Sequence, residues 1–248
     1  MTDWELIVVD DASTDHTTDI VRKLAKADER ISLESSVSNL GTGKARSLGV
    51  RKARAKKIAF LDSDDLWLPE KLDRDLAFME SHGAHWIHSA YRFLRPDGHL
   101  SAPVTSKPVG TVRDLLGPNP ITLSTVMLDR SIYPDGLSFH FERAQDLELW
   151  IALAKEKAQC LFSDSPDVIY RLRTGSLSSN KLLAAMRRHR NLRTLTVGPW
   201  TTSISFVRYI FGSSAKFLRR FRPCEDCQET ETYIARIEKQ AQKLLVSK

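Results

Sequence analysis

The run Asp62-Ser63-Asp64-Asp65 places three carboxylates within four residues. Such a cluster repels itself unless a cation or hydrogen-bond donors compensate it. Oxygen ligands of this kind suit Mg²⁺ or Mn²⁺, and a cation held there can also bind a diphosphate. The competing assignment is local: Asp64 or Asp65 as the N-cap of a helix that Pro69 opens. A second acidic pair, Asp10-Asp11, closes the apolar run Leu6-Ile7-Val8-Val9. His82, His85, His88, His140 and His189 have no spacing suited to a metal. Cys224-Glu225-Asp226-Cys227 is a lone CxxC with no second pair to complete a zinc site.

The elements around these residues alternate. Glu5 to Asp10 reads as a buried parallel strand, and Ser13 or Thr14 can cap a helix running to about Lys26. A strand near residues 30–34 precedes the loop Asn39-Leu40-Gly41-Thr42-Gly43. A helix over about 44–55 then leads into the strand Lys57 to Leu61. This alternation predicts a parallel α/β sheet, in which ligands bind beyond the carboxyl ends of the strands. Both acidic clusters fall at such ends. Farther on, the pattern predicts a helix from about Pro69 to His82, a strand over 86–91 and a turn at Pro96-Asp97-Gly98. It then gives a short helix over 112–116, a strand over 122–128, a helix over 145–156 and a last strand over 168–172. Asp146 and Glu148 lie in the first turn of the 145–156 helix, a favourable place for negative charge.

Of 248 residues, 42% are hydrophobic and 27% charged, which excludes global disorder. Three cysteines give no disulfide framework, and the chain reads as one that folds in a reducing compartment. No secretory leader and no long uncharged apolar run is evident. The net charge of +6 is uneven: residues 181–248 carry 14 basic and 5 acidic residues, whereas residues 1–180 carry 23 and 26. Any anionic partner belongs with the tail.

Trp4 to Asp15, then Asn39-Leu40-Gly41 with Ala45-Arg46, then Phe60 to Asp65 and Trp67-Leu68-Pro69-Glu70-Lys71-Leu72 occur in order. Together they resemble glycosyltransferase family 2, over roughly residues 3–180. The resemblance implies a GT-A nucleotide-sugar fold, α/β with a mostly parallel central sheet flanked by helices and here a basic helical C-terminal extension. It divides the chain into a catalytic domain over 1–180 and a basic amphipathic helical region over 181–248. It implies an inverting, metal-dependent, hexosyltransferase-type enzyme that moves a sugar from a nucleotide-sugar, a UDP-sugar, to an acceptor hydroxyl in cell-surface polysaccharide or glycolipid synthesis.

By the same resemblance, Asp11 would contact the base, with Asp10 supporting it, and Asn39 and Arg46 would belong to the nucleotide pocket. Asp62 would face the ribose, and Asp64, with Asp62, would hold Mn²⁺ or Mg²⁺. Asp146 would be the catalytic base, although Gln145 stands where the family usually has a Glu. Arg171 and Arg173, before Gly175-Ser176-Leu177-Ser178, match a loop over the diphosphate, to which arginine is suited. For Arg46 and Arg173 a solvated surface position is the alternative, and for Asp146 a plain helix-start charge.

Ile204, Val207, Phe211, Ser214, Leu218 and Phe221 recur at helical spacing with basic residues off the stripe. Residues 200–222 therefore read either as an amphipathic helix for an anionic membrane surface or as one docked on the catalytic domain. The former implies a cytoplasmic protein, peripheral at the inner membrane face, with a lipid-linked or saccharide acceptor; no nucleic acid is expected. Family members usually begin one βα unit earlier, so the resemblance implies an N-terminally truncated chain or, failing that, a sheet with a gap, exposed strand edges, poor solubility and weak nucleotide binding. The acidic strand ends also fit a receiver-like Mg²⁺-binding signalling domain, and a non-catalytic nucleotide-sugar-binding member of the family is the third alternative.

Overall fold

The computed structural model describes residues 3–116, 121–132, 145–172, 186, 190, 192 and 221–246. β1 (Leu6–Asp10) and β2 (Ile31–Ser35) form a parallel pair, Leu6 opposite Ile31 and Asp10 opposite Ser35. A parallel pair needs a crossover, and α1 (Thr17–Ala27) supplies it. The helix starts later than Ser13 or Thr14 would place it. Asp10 Oδ2 accepts the Ser13 N–H at 3.3 Å, Ala12 takes a left-handed φ of 63°, and Asp15 Oδ1 accepts the Thr17 N–H at 3.0 Å. The acidic turn consumes the residues that could have begun the helix.

α2 (Thr42–Lys52) lies against β1 so closely that a Cβ on Gly49 would meet Val9 Cγ2 at 3.2 Å. It leads to β3 (Lys57–Ala59), the edge of a five-stranded sheet. The other strands are β4 (Leu66–Trp67), β5 (Trp86–Leu94), β6 (Val126–Asp129) and β7 (Cys160–Arg171), in the order β3-β6-β5-β7-β4. β5 and β7 are parallel, while β3/β6, β5/β6 and β4/β7 are antiparallel. The architecture is α/β as expected, but the main sheet is mixed rather than mostly parallel. Apolar runs mark strands without marking their direction: β6 runs back between β3 and β5, and two-residue β4 folds back onto β7.

β7 also exceeds the strand expected over 168–172. Its register against β5 shifts between Ser89 and Tyr91, where residues 164–167, including Pro166, bulge out. Proline inside a strand is confined to edges or bulges, and its presence hides the strand's first half from a reading by pattern. α3 (Lys71–His82) and α4 (Gln145–Lys155) flank this sheet, and the helix expected over 112–116 is a 3-10 turn, Val112–Leu116.

The largest apolar cluster centres on Trp86 of β5 and Trp150 of α4, both fully buried, with stacked rings 5.2 Å apart. Val126, Leu128, Leu115 and Leu147 pack around them. A second cluster joins Leu94, Leu100 and Ile169 to Cys227 and to Ile234 of α5 (Gln228–Val246), so this C-terminal helix is docked on the sheet.

Among the described residues no ladder joins β1 to β3, so each is paired on one side only. Glu5 spans the two sheets, its Oε1 accepting the backbone N–H of Arg54 at 2.7 Å and Ala55 at 3.1 Å. Of the basic stripe over 200–222, residues 200–220 lie outside the described residues.

Candidate active site at the acidic turn

β3 ends at Ala59, and the chain leaves the sheet into a β-turn closed by the Asp65 N–H on the Asp62 carbonyl at 2.9 Å. Aspartate is favoured at the first position of such a turn. The turn separates the three carboxylates. Asp65 points inward and is buried, accepting the Ser124 hydroxyl at 2.6 Å. Ser124 Oγ in turn accepts the Asp62 N–H at 3.1 Å, so one buried hydroxyl ties both ends of the turn to the segment before β6. Burial pushes the Asp65 carboxyl up to about 7; the Ser124 hydroxyl opposes this and the charges of Asp62 and Asp64 add to it. Asp65 is thus neither a helix cap nor directed outward with its neighbours, since α3 begins only at Lys71.

Asp62 and Asp64 are half-buried. Arg46, on the second turn of α2, reaches Asp62 Oδ1 with Nη2 at 2.5 Å, its side chain 19% exposed. Arg46 is therefore engaged at the site rather than solvated. From the opposite side, Arg171 at the end of β7 donates Nε to the Asp64 carbonyl at 3.2 Å and its backbone N–H to Asp65 Oδ1 at 3.4 Å. Two arginines on separate elements hold one acidic turn, a charge-assisted arrangement stronger than neutral hydrogen bonds.

The Asp10-Asp11 turn is built differently. Asp11 accepts the backbone N–H groups of Leu40 at 2.6 Å and Gly41 at 2.9 Å, fastening β1 to the loop before α2. Gly41 has φ 81°, a conformation that glycine adopts without strain. Its N–H also lies 3.1 Å from Asn39 Oδ1. Asp11 and Asn39 thus both spend acceptors on shaping this loop. Asp10 is 5% exposed, and its Oδ1 has no hydrogen-bond partner among the described residues. A buried carboxylate oxygen without a donor is costly to leave so.

Asp146 sits in the first turn of α4, with Oδ1 2.8 Å from the Leu147 N–H. α4 is fixed by Leu147 and Trp150, which share a cluster with Leu123 beside Ser124, so one packed core carries the acidic turn and this helix start. Trp150 is core, not cleft. Arg173 and residues 175–178 lie outside the described residues. Sequence reasoning missed the tie of Ser124 to both ends of the acidic turn, a contact between residues far apart in the chain, and missed the contact of Arg171 with Glu238 of α5. It also left unpaired the cysteines Cys224 and Cys227, which form a disulfide. A framework reading discounts a pair three residues apart because it closes so short a loop.

Among the described residues no three His, Cys, Asp or Glu side chains converge as a metal cage. What the turn offers is two carboxylates, Asp62 and Asp64. Two carboxylates on a turn fit a cation such as Mg²⁺ that completes its shell with water and phosphate oxygens.

Residues 1–112 match the family model described as "Glycosyl transferase family 2". The chain is 35% identical to TuaG of Bacillus subtilis (strain 168), assigned as a teichuronic acid biosynthesis glycosyltransferase, over 74% of this chain and 73% of that one. It is 31% identical to the Escherichia coli UDP-Glc:alpha-D-GlcNAc-diphosphoundecaprenol beta-1,3-glucosyltransferase WfaP, over 88% and 85%. Among solved structures, S. aureus TarS 1–349 in complex with UDP-GlcNAc superposes with a TM-score of 0.62 at 22% identity, over 84% of this chain. This chain spans 63% of that TarS chain, and the likeness establishes the GT-A fold. The receiver-like alternative is thereby overturned. With the acidic turn in place, and with similarity running through most of the length of two relatives, the chain belongs to glycosyltransferase family 2 and is a glycosyltransferase.

Proposed function

We propose that this enzyme transfers a sugar, with inversion, from a UDP-sugar to an acceptor hydroxyl on a lipid-linked or saccharide substrate in cell-surface polysaccharide or glycolipid synthesis. The observation that carries the reading is the acidic turn held between Arg46 and Arg171, with Asp62 and Asp64 left half-buried at its surface. The relatives' names support the donor and the setting: WfaP is named for UDP-Glc and a diphosphoundecaprenol acceptor, and TuaG is named for teichuronic acid biosynthesis.

In this reading Asp64, with Asp62, holds Mn²⁺ or Mg²⁺. Bound there, the cation supplies charge neutralisation to the departing diphosphate. Arg46 orients Asp62 toward the ribose side, and Asp10, Asp11 and Asn39 shape the loop that borders the base. Asp146 accepts the proton of the acceptor hydroxyl as that oxygen attacks the anomeric carbon from the face opposite the diphosphate. Arg173 approaches the diphosphate. Residues 1–180 form the catalytic domain, and residues 200–222 within the basic region meet an anionic membrane surface, which brings a lipid-linked acceptor to the cleft.

The test is UDP-sugar turnover with Mn²⁺. Asp64→Ala should lower kcat by about 10²–10³-fold and Asp146→Asn by about 10²–10⁴-fold. Metal-independent turnover, or full activity of Asp64→Ala, would sink the reading. A thermal-shift comparison of UDP-, GDP- and dTDP-sugars checks the nucleotide: a larger shift with either competitor removes UDP. Liposome binding that survives deletion of 200–222 removes the membrane role.

A further inference from the structure

We propose that Cys224 and Cys227 form a thiol–disulfide exchange site whose partner is a dithiol or its disulfide, and that the state of this pair sets how α5 docks beside the acidic turn. The two sulfurs are bonded to each other, and each residue lies beside a source of positive potential. Arg92 Nη1 lies 3.0 Å from Cys224 Sγ. Cys227 immediately precedes α5, and its carbonyl accepts the Glu231 N–H at 2.8 Å, so its sulfur is at the positive end of a 19-residue helix. A guanidinium and a helix N-terminus are two surroundings that lower thiol pKa and improve a thiolate as leaving group.

The two sulfurs differ in access. Cys227 is 3% exposed, packed with Leu94, Leu100, Ile169 and Ile234, whereas Cys224 is only partly buried. Exchange therefore starts at Cys224. A thiolate of the external dithiol attacks Cys224 Sγ, the Cys224–Cys227 bond breaks, and Cys227 leaves as the thiolate. The reductant's second thiolate then attacks its own sulfur in the mixed disulfide and expels Cys224. Two electrons and two protons pass to the protein, and the reductant ends as a cyclic disulfide.

The pair lies on a path to the acidic turn. Residues 222–224 are hydrogen-bonded to residues 100–102, through Arg222 O with the Ala102 N–H at 2.9 Å and the Cys224 N–H with Leu100 O at 3.3 Å. Glu231, one turn into α5, accepts the Leu100 N–H at 2.7 Å. Two turns farther, Glu238 accepts Arg171 Nη1, and Arg171 Nε holds the Asp64 carbonyl. Two thiols need more room than one disulfide, and Cys227 is enclosed in a packed cluster that tolerates extra volume poorly. Reduction thus loosens the start of α5 and, with it, the hold of Glu238 on Arg171.

The test uses the whole protein equilibrated in dithiothreitol buffers of varied reduced-to-oxidised ratio, with no sugar donor. Native alkylation followed by intact mass counts the thiols, and hydrogen exchange follows the amides of residues 228–238. Cys160 serves as an internal reference, since burial pushes its thiol up to about 12 and it should stay unlabelled. The expected result is no label at the oxidised end, two labels at the reduced end, and exchange in α5 faster by at least about three-fold on reduction. Cys224→Ser/Cys227→Ser should exchange at the faster rate in every buffer. Labelling of the pair at the oxidised end, or α5 exchange that changes by less than about three-fold in the wild type, overturns the proposal. Neither readout depends on the donor, the cation or turnover.

Discussion

In the two-stranded sheet, Leu6 of β1 is 40% exposed and residues 7–9 are only half-buried. In the five-stranded sheet, Trp86, Ile87, Val126, Leu128 and Val168 are wholly removed from solvent. Yet each sheet ends a strand in an acidic turn. The first sheet is fastened by polar latches at both ends of β1: Asp11 on the amides of Leu40 and Gly41 at its turn, and Glu5 on Arg54 and Ala55 at the strand's start. Arg30 adds a pair with Asp28 and a guanidinium 3.9 Å above the Trp4 ring. The second turn rests on an apolar core, with Ser124, Arg46 and Arg171 bonded to it. Apolar burial grows with area removed from water, whereas exposed polar contacts each contribute little. The wall built by β1 and β2 is therefore expected to be the softer one.

The largest test of this contrast is a pair of core deletions. Trp150→Ala empties the stack on Trp86 and should cost about 3–5 kcal/mol. Val8→Ala, on a half-exposed strand, should cost about 1 kcal/mol. Urea unfolding of both variants measures the two values, and equal costs would break the contrast. A middle-sized effect is expected at Ser124→Ala. That change leaves Asp65 buried without its hydroxyl donor and the Asp62 N–H without its acceptor, at about 1–3 kcal/mol. A loss smaller than that of Val8→Ala would mean that the second turn does not depend on its buried hydroxyl.

Much of this was legible in the sequence, and the parts that were not have physical reasons. The apolar run before Asp10 and the run from Lys57 announce strands, and both acidic turns lie at strand ends as expected. The inward rotation of Asp65 is set by the β-turn and by Ser124, fifty-nine residues away in sequence, a contact that no local pattern encodes. Strand direction escapes for the same reason, because an antiparallel and a parallel strand bury the same residue types. The first half of β7 was hidden by Pro166 and the bulge it occupies. Arg46 was legible through its position after the Gly41 loop, whereas the link from Arg171 to Glu238 depends on how α5 docks.

A smaller effect sharpens the boundary between the two regions. Arg46 belongs to α2 and Asp62 to the turn after β3, so their pair crosses from one region to the other. A double-mutant cycle of Arg46→Ala and Asp62→Ala, read by unfolding, should give a coupling of about 0.5–1 kcal/mol, given side chains only partly withdrawn from solvent. A coupling indistinguishable from zero would mean that the regions unfold without regard to this bridge.

The smallest effect is a pH difference between two carboxyls that both stand at about 2, one in each region. For Asp129, burial works to raise it, and the Lys57 ammonium at 2.8 Å and the Ser131 hydroxyl at 2.6 Å more than reverse that. For Asp28, the Arg30 guanidinium at 2.7 Å does the lowering. Both are depressed below the ordinary 3.8. Each therefore adds stability that is fully present above 3.8, and that stability declines as pH falls toward 2, because the unfolded chain takes up the proton first. The pair at Asp129, its carboxylate 21% exposed, ties β3 to β6 in the five-stranded sheet, while Asp28, 30% exposed, stands before β2. Acid unfolding of Asp129→Asn should thus be shallower than wild type between pH 4 and 2, with the difference the less salt-sensitive of the two. For Asp28→Asn the change should be smaller and should fade near about 0.5 M salt, where screening lengths shrink to a few ångströms. Equal salt sensitivity of the two variants would place both carboxyls in the same dielectric surroundings and remove the last distinction between the polar wall and the packed one.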